Sequence, residues 1–216
     1  RFRRAQLRRY QEAPSFHGDH LPLLVPEITA LAFEKVSGQK AFRRPWSIPG
    51  YQILIYEDIG RRREILTVSE QEKADESNED RWQKVRTALF YDAYKLRPRE
   101  RRPVDGGELR IFESTDGMGG TRGLLLPEFD YDSARDGGFF AIPSRDCFII
   151  ASPKSPQGAQ KMLPGLLEAV DTALQNADFP LSDAIFELHP TDISIYQDPS
   201  LDFRRFTPIL LAGLEQ

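Results

Sequence analysis

Two apolar runs, Phe139 to Ile142 and Cys147 to Ala151, flank the turn-forming residues Pro143-Ser144-Arg145-Asp146, and no other stretch constrains the fold as strongly. Such short runs suit strands, and a connection of this length and composition joins antiparallel neighbours. The device recurs where Ala184 to Leu188 and Ile193 to Tyr196 flank His189-Pro190-Thr191-Asp192. Tyr51 to Tyr56, which follows Ser47-Ile48-Pro49-Gly50, reads as a strand, as do Ile65 to Val68 and Leu109 to Phe112. The run Arg61-Arg62-Arg63 is expected in the turn between the first two. Strands that pair with their sequence neighbours, with helices between the pairs, define an α+β chain. The expectation is a mainly antiparallel sheet built from hairpins with packed helices, plus a short basic N-terminal helical arm, and not a doubly wound parallel sheet.

Helical periodicity appears in three places. Trp82, Val85, Leu89, Ala93 and Leu96 lie on one face from Asn78 onward. Ser155 and Pro156 read as N-cap and first helical residue of a helix to about Asn176, with Met162, Leu163, Leu166, Leu167, Val170 and Leu174 on its buried face and Pro164 kinking it. Glu27 to Val36 spaces Ile28, Leu31, Ala32 and Val36 on one face, with Pro26 before it and Gly38 after. Ser69 and Glu72 have capping-box spacing. Trp82, Leu89, Phe148, Ile150 and Leu167 are expected in a common core against one sheet. Ala13 to Pro26 and Arg97 to Gly107, rich in turn formers, read as connections.

Composition sets the domain plan and narrows function. With 40% hydrophobic and 29% charged residues, the chain has the apolar surface to offset its conformational entropy. Its 216 residues suit one domain over 27–216 preceded by a basic arm and linker over 1–26. No apolar run approaches the roughly 18 residues of a membrane helix, so no membrane role is expected. Cys147 is the single cysteine, which points to the cytoplasm. The net charge of −4 hides an asymmetry: Arg1, Arg3, Arg4, Arg8 and Arg9 stand in an acid-free stretch, and without those five charges the rest carries −9. An acidic body disfavours nucleic acid. The clusters at 61–63 and 97–102 lack the interleaved aromatic residues of a single-strand groove and read as solvated turns.

One resemblance emerges from the motifs. Asp116-Gly117, then Thr121-Arg122 leading into Leu124-Leu125-Leu126, then Ala141-Ile142-Pro143-Ser144-Arg145-Asp146, and finally Phe179-Pro180-Leu181-Ser182-Asp183-Ala184-Ile185-Phe186, together resemble the YtpQ-like bacterial family, domain of unknown function 1444. Thr87-Ala88-Leu89-Phe90 is similar to that family's preceding helix. The resemblance spans about residues 46–197. Met118 stands where the family has Tyr, and Gly120-Thr121 where it has Ala-Ser, so no role for a tyrosine hydroxyl carries over. What the resemblance implies is motif position, and no activity.

Those marked turns hold the candidate ligand-binding residues: Asp116, Gly117, Arg122, Arg145 and Asp146. Arginine and carboxylate can brace loops as a fork, or the arginines can form an anion pocket. Gly117-Met118-Gly119-Gly120-Thr121-Arg122-Gly123 lacks the spacing of a dinucleotide fingerprint and has no following Gly-Lys-Ser/Thr, so turn geometry explains its glycines. His17-Gly18-Asp19-His20 has metal-ligand types without supporting ligands, and Cys147 within its apolar run reads as a small hydrophobe with no activating neighbour. No catalytic residue, metal or cofactor is read from the sequence. The chain is expected to be a non-catalytic module that binds a protein or a small anionic ligand. The alternatives are an enzyme with its site at turns 116–123 and 143–146, and a nucleic-acid binder using the arginine clusters.

Overall fold

The computed structural model describes residues 20–45, 51–59, 62–68, 77–125, 130–190 and 193–196. The basic arm, the residues His17 to Asp19 and the Ser69/Glu72 pair lie outside them. The fold is α+β, with five α-helices and ten strands among the described residues. The chain divides into two compact units, Arg1–Arg97 with Glu113–Leu125 and Pro98–Phe112 with Leu126–Gln216.

In the first unit, β1 (His20–Pro26), β2 (Arg43–Pro45), β3 (Tyr51–Ile59) and β4 (Arg62–Ile65) form one sheet. It is centred on β3, which β1 flanks on one side while β2 and β4 pair with successive stretches of it. Ile53, Leu54 and Ile55 are buried there. The linker expected before residue 27 therefore ends in a strand. Pro22 and Pro26 argued against one, but an edge strand pairs on one side only and tolerates a missing donor. Arg62 and Arg63, expected in a turn, pair with Ile59 and Asp58.

Helix α1 (Glu27–Ser37) presents a different face from the one its spacing suggests. Ala30 is buried, whereas Leu31 and Val36 are 48% and 89% exposed. Polar anchoring accompanies this rotation: Glu34 accepts the Ala41 amide at 3.3 Å and pairs with Arg43 at 3.2 Å. Helix α2 (Asn78–Lys95) behaves as its periodicity requires, burying Trp82, Val85, Leu89 and Ala93. Ser77 caps it by accepting the Asp80 amide at 3.1 Å. The helix stops at Leu96, ahead of Pro98.

The second unit holds a six-stranded sheet in the order β10-β9-β7-β8-β6-β5. Its strands are β5 (Glu100–Val104), β6 (Gly107–Glu113), β7 (Phe139–Ser144), β8 (Cys147–Pro153), β9 (Ile185–Leu188) and β10 (Ile193–Ile195). Both hairpins at 139–151 and 185–195 form, each antiparallel. Strand β5 replaces part of the connection expected over 97–107. It carries Pro103 and exposed charges because it is the sheet edge, which is where sequence periodicity is weakest. Its turn to β6 needs Gly106, at φ 87°, where an added Cβ would lie 2.2 Å from the Gly158 carbonyl oxygen.

A 3-10 turn at Pro156–Gly158 precedes α5 (Ala159–Gln175), so the helix opens later than Ser155, and Ser155 makes no side-chain cap. Helical assignment continues through Pro164. Met162, Leu163, Leu166 and Val170 of α5 pack with Leu109, Phe139, Cys147, Ile149 and Ala151. Side chains alternate along a strand, so Phe148 and Ile150 point to the opposite face. That face is also buried, with Phe112 stacked on Phe148 at 4.5 Å and Phe140 against Phe186 at 4.9 Å. Of the residues expected in one core, Trp82 and Leu89 belong to the first unit, and Phe148 and Ile150 lie across the second sheet from Leu167. Burial of both faces explains why these strands read as continuous apolar runs. No helix among the described residues is long and apolar enough to cross a membrane.

Candidate functional site

The first candidate turn, in the first unit, folds around Asp116. Gly117 adopts φ 79°, a conformation unfavourable for other residues, and lets the Met118 amide donate to Asp116 Oδ1 at 3.0 Å. The chain then enters α3 (Gly119–Gly123), a short helix where a glycine-rich turn was expected. Every residue of α3 is buried, so its glycine backbone meets protein and not a phosphate. Thr121 Oγ1 accepts the Leu24 amide at 2.9 Å and ties the helix to β1.

Arg122 of α3 turns back on Asp116. Its Nη1 donates to Oδ1 at 2.9 Å and its Nη2 to Oδ2 at 2.6 Å, a bidentate fork. The Arg122 side chain is 0% exposed and that of Asp116 12%. Burial pushes the Asp116 carboxyl up, but the hydrogen bonds and charge of Arg122, helped by the Met118 amide, hold it below the ordinary value. Chemically this arrangement is a brace.

The second turn, in the second unit, is built differently. Ser144 pairs with Cys147, leaving Arg145 and Asp146 at the tip of the β7–β8 hairpin. Ser144 Oγ accepts the Asp146 amide at 3.3 Å. The segment Phe179 to Leu181 runs alongside: Arg145 donates its amide to the Phe179 carbonyl at 3.0 Å, and Leu181 donates to the Pro143 carbonyl at 2.8 Å. Beside these bonds the Arg145 guanidinium lies over the Phe179 ring, its Cζ 3.7 Å from the ring centroid. Phe179 is 52% exposed. Arg145 is half-buried and makes no ion pair among the described residues; its Nε is buried without a hydrogen-bond partner there.

Of the five candidates, the structure brings Asp116, Gly117 and Arg122 together in one turn and Arg145 with Asp146 in the other. Phe179 was missed as a site residue. The available signal was an aromatic residue beside proline in the last family-like stretch, but only long-range pairing places it under Arg145. Other residues of interest have local partners. His189 Nε2 lies 3.1 Å from Ser194 Oγ and 3.8 Å from Glu187 Oε2; both approach the same ring nitrogen, so the carboxylate does not orient a second nitrogen as a catalytic triad needs. Cys147 is buried among the residues facing α5. Arg110 bonds Asp130, Ser133 and Ser152, a polar network that secures α4 (Tyr131–Arg135) against β8. Arg101 and Arg102 pair with Glu108 and Glu100, each at 2.9 Å. Among the described residues no three His, Cys, Asp or Glu side chains converge to hold a metal ion. Compared with protein-family models, curated proteins and solved structures, the chain matches none.

Proposed function

We propose that this protein is a non-catalytic binding module for a small anionic ligand or an acidic group on a protein partner, with the turn at Arg145 and Asp146 as its contact. The observation that carries the reading is the Arg145 guanidinium, held over a half-exposed ring and without a carboxylate partner among the described residues. Polar turns anchored on rigid strands are where binding residues concentrate, and β7 and β8 are buried along nearly their whole length. The resemblance to the YtpQ-like family marks the same turn and supports the reading by position. The nucleic-acid alternative is weakened by the pairing of Arg101 and Arg102 with glutamates, which lowers the positive charge they offer to phosphates. The lone Cys147 fits work in the reducing cytoplasm.

Thermal unfolding in the presence of acetate or inorganic phosphate, at constant ionic strength, tests this. A ligand that prefers the native state raises the midpoint. Wild type should respond and Arg145→Gln should not, while unfolding cooperatively. Equal responses of the two proteins would remove Arg145 from the site.

A further inference from the structure

The charge around this platform narrows its ligand. The two segments that build it, 143–147 and 178–183, contain Arg145 as their one cation and Asp146, Asp178 and Asp183 as acids. A dianionic phosphate placed on Arg145 gains one attraction and meets several like charges, whereas a singly charged carboxylate loses less to them. The fork geometry of a guanidinium also matches two carboxylate oxygens. Nε is buried, so Nη1 and Nη2 are the nitrogens left for a ligand. The ring beneath the guanidinium, Phe179, is half-exposed.

Resting on the binding-module reading, we propose that the platform takes a monoanionic carboxylate that carries an apolar or aromatic group, the carboxylate on Arg145 and the apolar group on Phe179. A small aromatic acid and the C-terminus of a peptide ending in an aromatic residue share this chemistry. The acids of these two segments disfavour phosphate, and the ring selects among carboxylates.

Titration of the full chain with phenylacetate, acetate, inorganic phosphate and N-acetylphenylalanine at fixed pH and ionic strength, followed by NMR signals of the Arg145 side chain and the Phe179 ring, tests the proposal. Phenylacetate should bind about three- to ten-fold more tightly than acetate, the worth of one aromatic contact, and phosphate more weakly than acetate. Phe179→Ala should erase the advantage of phenylacetate over acetate; Arg145→Gln should abolish all of the binding. N-acetylphenylalanine binding above phenylacetate assigns the carboxylate to a chain terminus, and the reverse order to a small acid. Phosphate binding more tightly than acetate, with loss in Arg145→Gln, would overturn the carboxylate assignment and leave the anion reading standing. An unchanged phenylacetate-to-acetate ratio in Phe179→Ala would remove the ring from the site. No response at Arg145 to any of these anions would overturn both.

Discussion

Arg122 and Arg145 each have an aspartate close by in sequence, yet they reach opposite states. Arg122 is fully buried and both its terminal nitrogens are spent on Asp116, six residues earlier. Arg145, next to Asp146, instead lies over the ring of Phe179, and its turn reaches 34 positions along the chain for the backbone that steadies it. The difference is one of electrostatic environment. A buried guanidinium requires a carboxylate, because the cost of removing it from water is otherwise unmet. A half-exposed guanidinium keeps solvent access and can rest on an aromatic face.

The strongest test of this contrast is Arg122→Ala. It strands the Asp116 carboxylate in a buried turn and should cost about 3–5 kcal/mol in urea-induced unfolding. Most of that loss should vanish when Asp116→Asn is already present, as a double-mutant cycle would reveal. Additive losses would mean that the fork contributes nothing as a pair.

Backbone geometry sharpens the comparison next. Gly117→Ala forces a side chain into positive φ and should destabilise the first turn by about 1–2 kcal/mol. The second turn has no residue in that region, so Ser144→Ala, measured by the same denaturation, should cost less. Equal losses would show that the first turn relaxes around the substitution.

A smaller effect should appear with pH. The native Asp116 carboxyl lies below its ordinary value, which is near 4 for an aspartate. Its contribution to stability is therefore complete above the unfolded value and is lost as pH falls through the lowered native one. Denaturation midpoints measured on the acid side should decline less steeply for Asp116→Asn than for wild type. Identical slopes would place the acid sensitivity elsewhere.

The smallest expected change is at Arg145. Arg145→Ala removes a cation–π contact at a half-exposed site, and calorimetric unfolding should show a loss within about 1 kcal/mol. A loss matching that of Arg122→Ala would make Arg145 a second brace and end its candidacy as a contact.

Much of the architecture was legible before any coordinates. The α+β class, the two hairpins and the buried face of α2 follow from turn chemistry and local periodicity, which act between residues close in sequence. The misread elements share a cause. Edge strands β1 and β5 pair on one side and need no apolar alternation, so their prolines and charges looked like connections. Helix α1 has apolar residues on more than one side, and its outward placement of Leu31 and Val36 comes with a Glu34–Arg43 pair that local periodicity does not reveal. Division of the apolar residues between two sheets was equally invisible, since hydrophobicity specifies burial and not the partner. At the candidate turns, sequence named Arg122 and Arg145 as equals. Only tertiary structure separated them, because burial seals Arg122 on its local carboxylate while the distant segment at Phe179 lays a ring beneath Arg145.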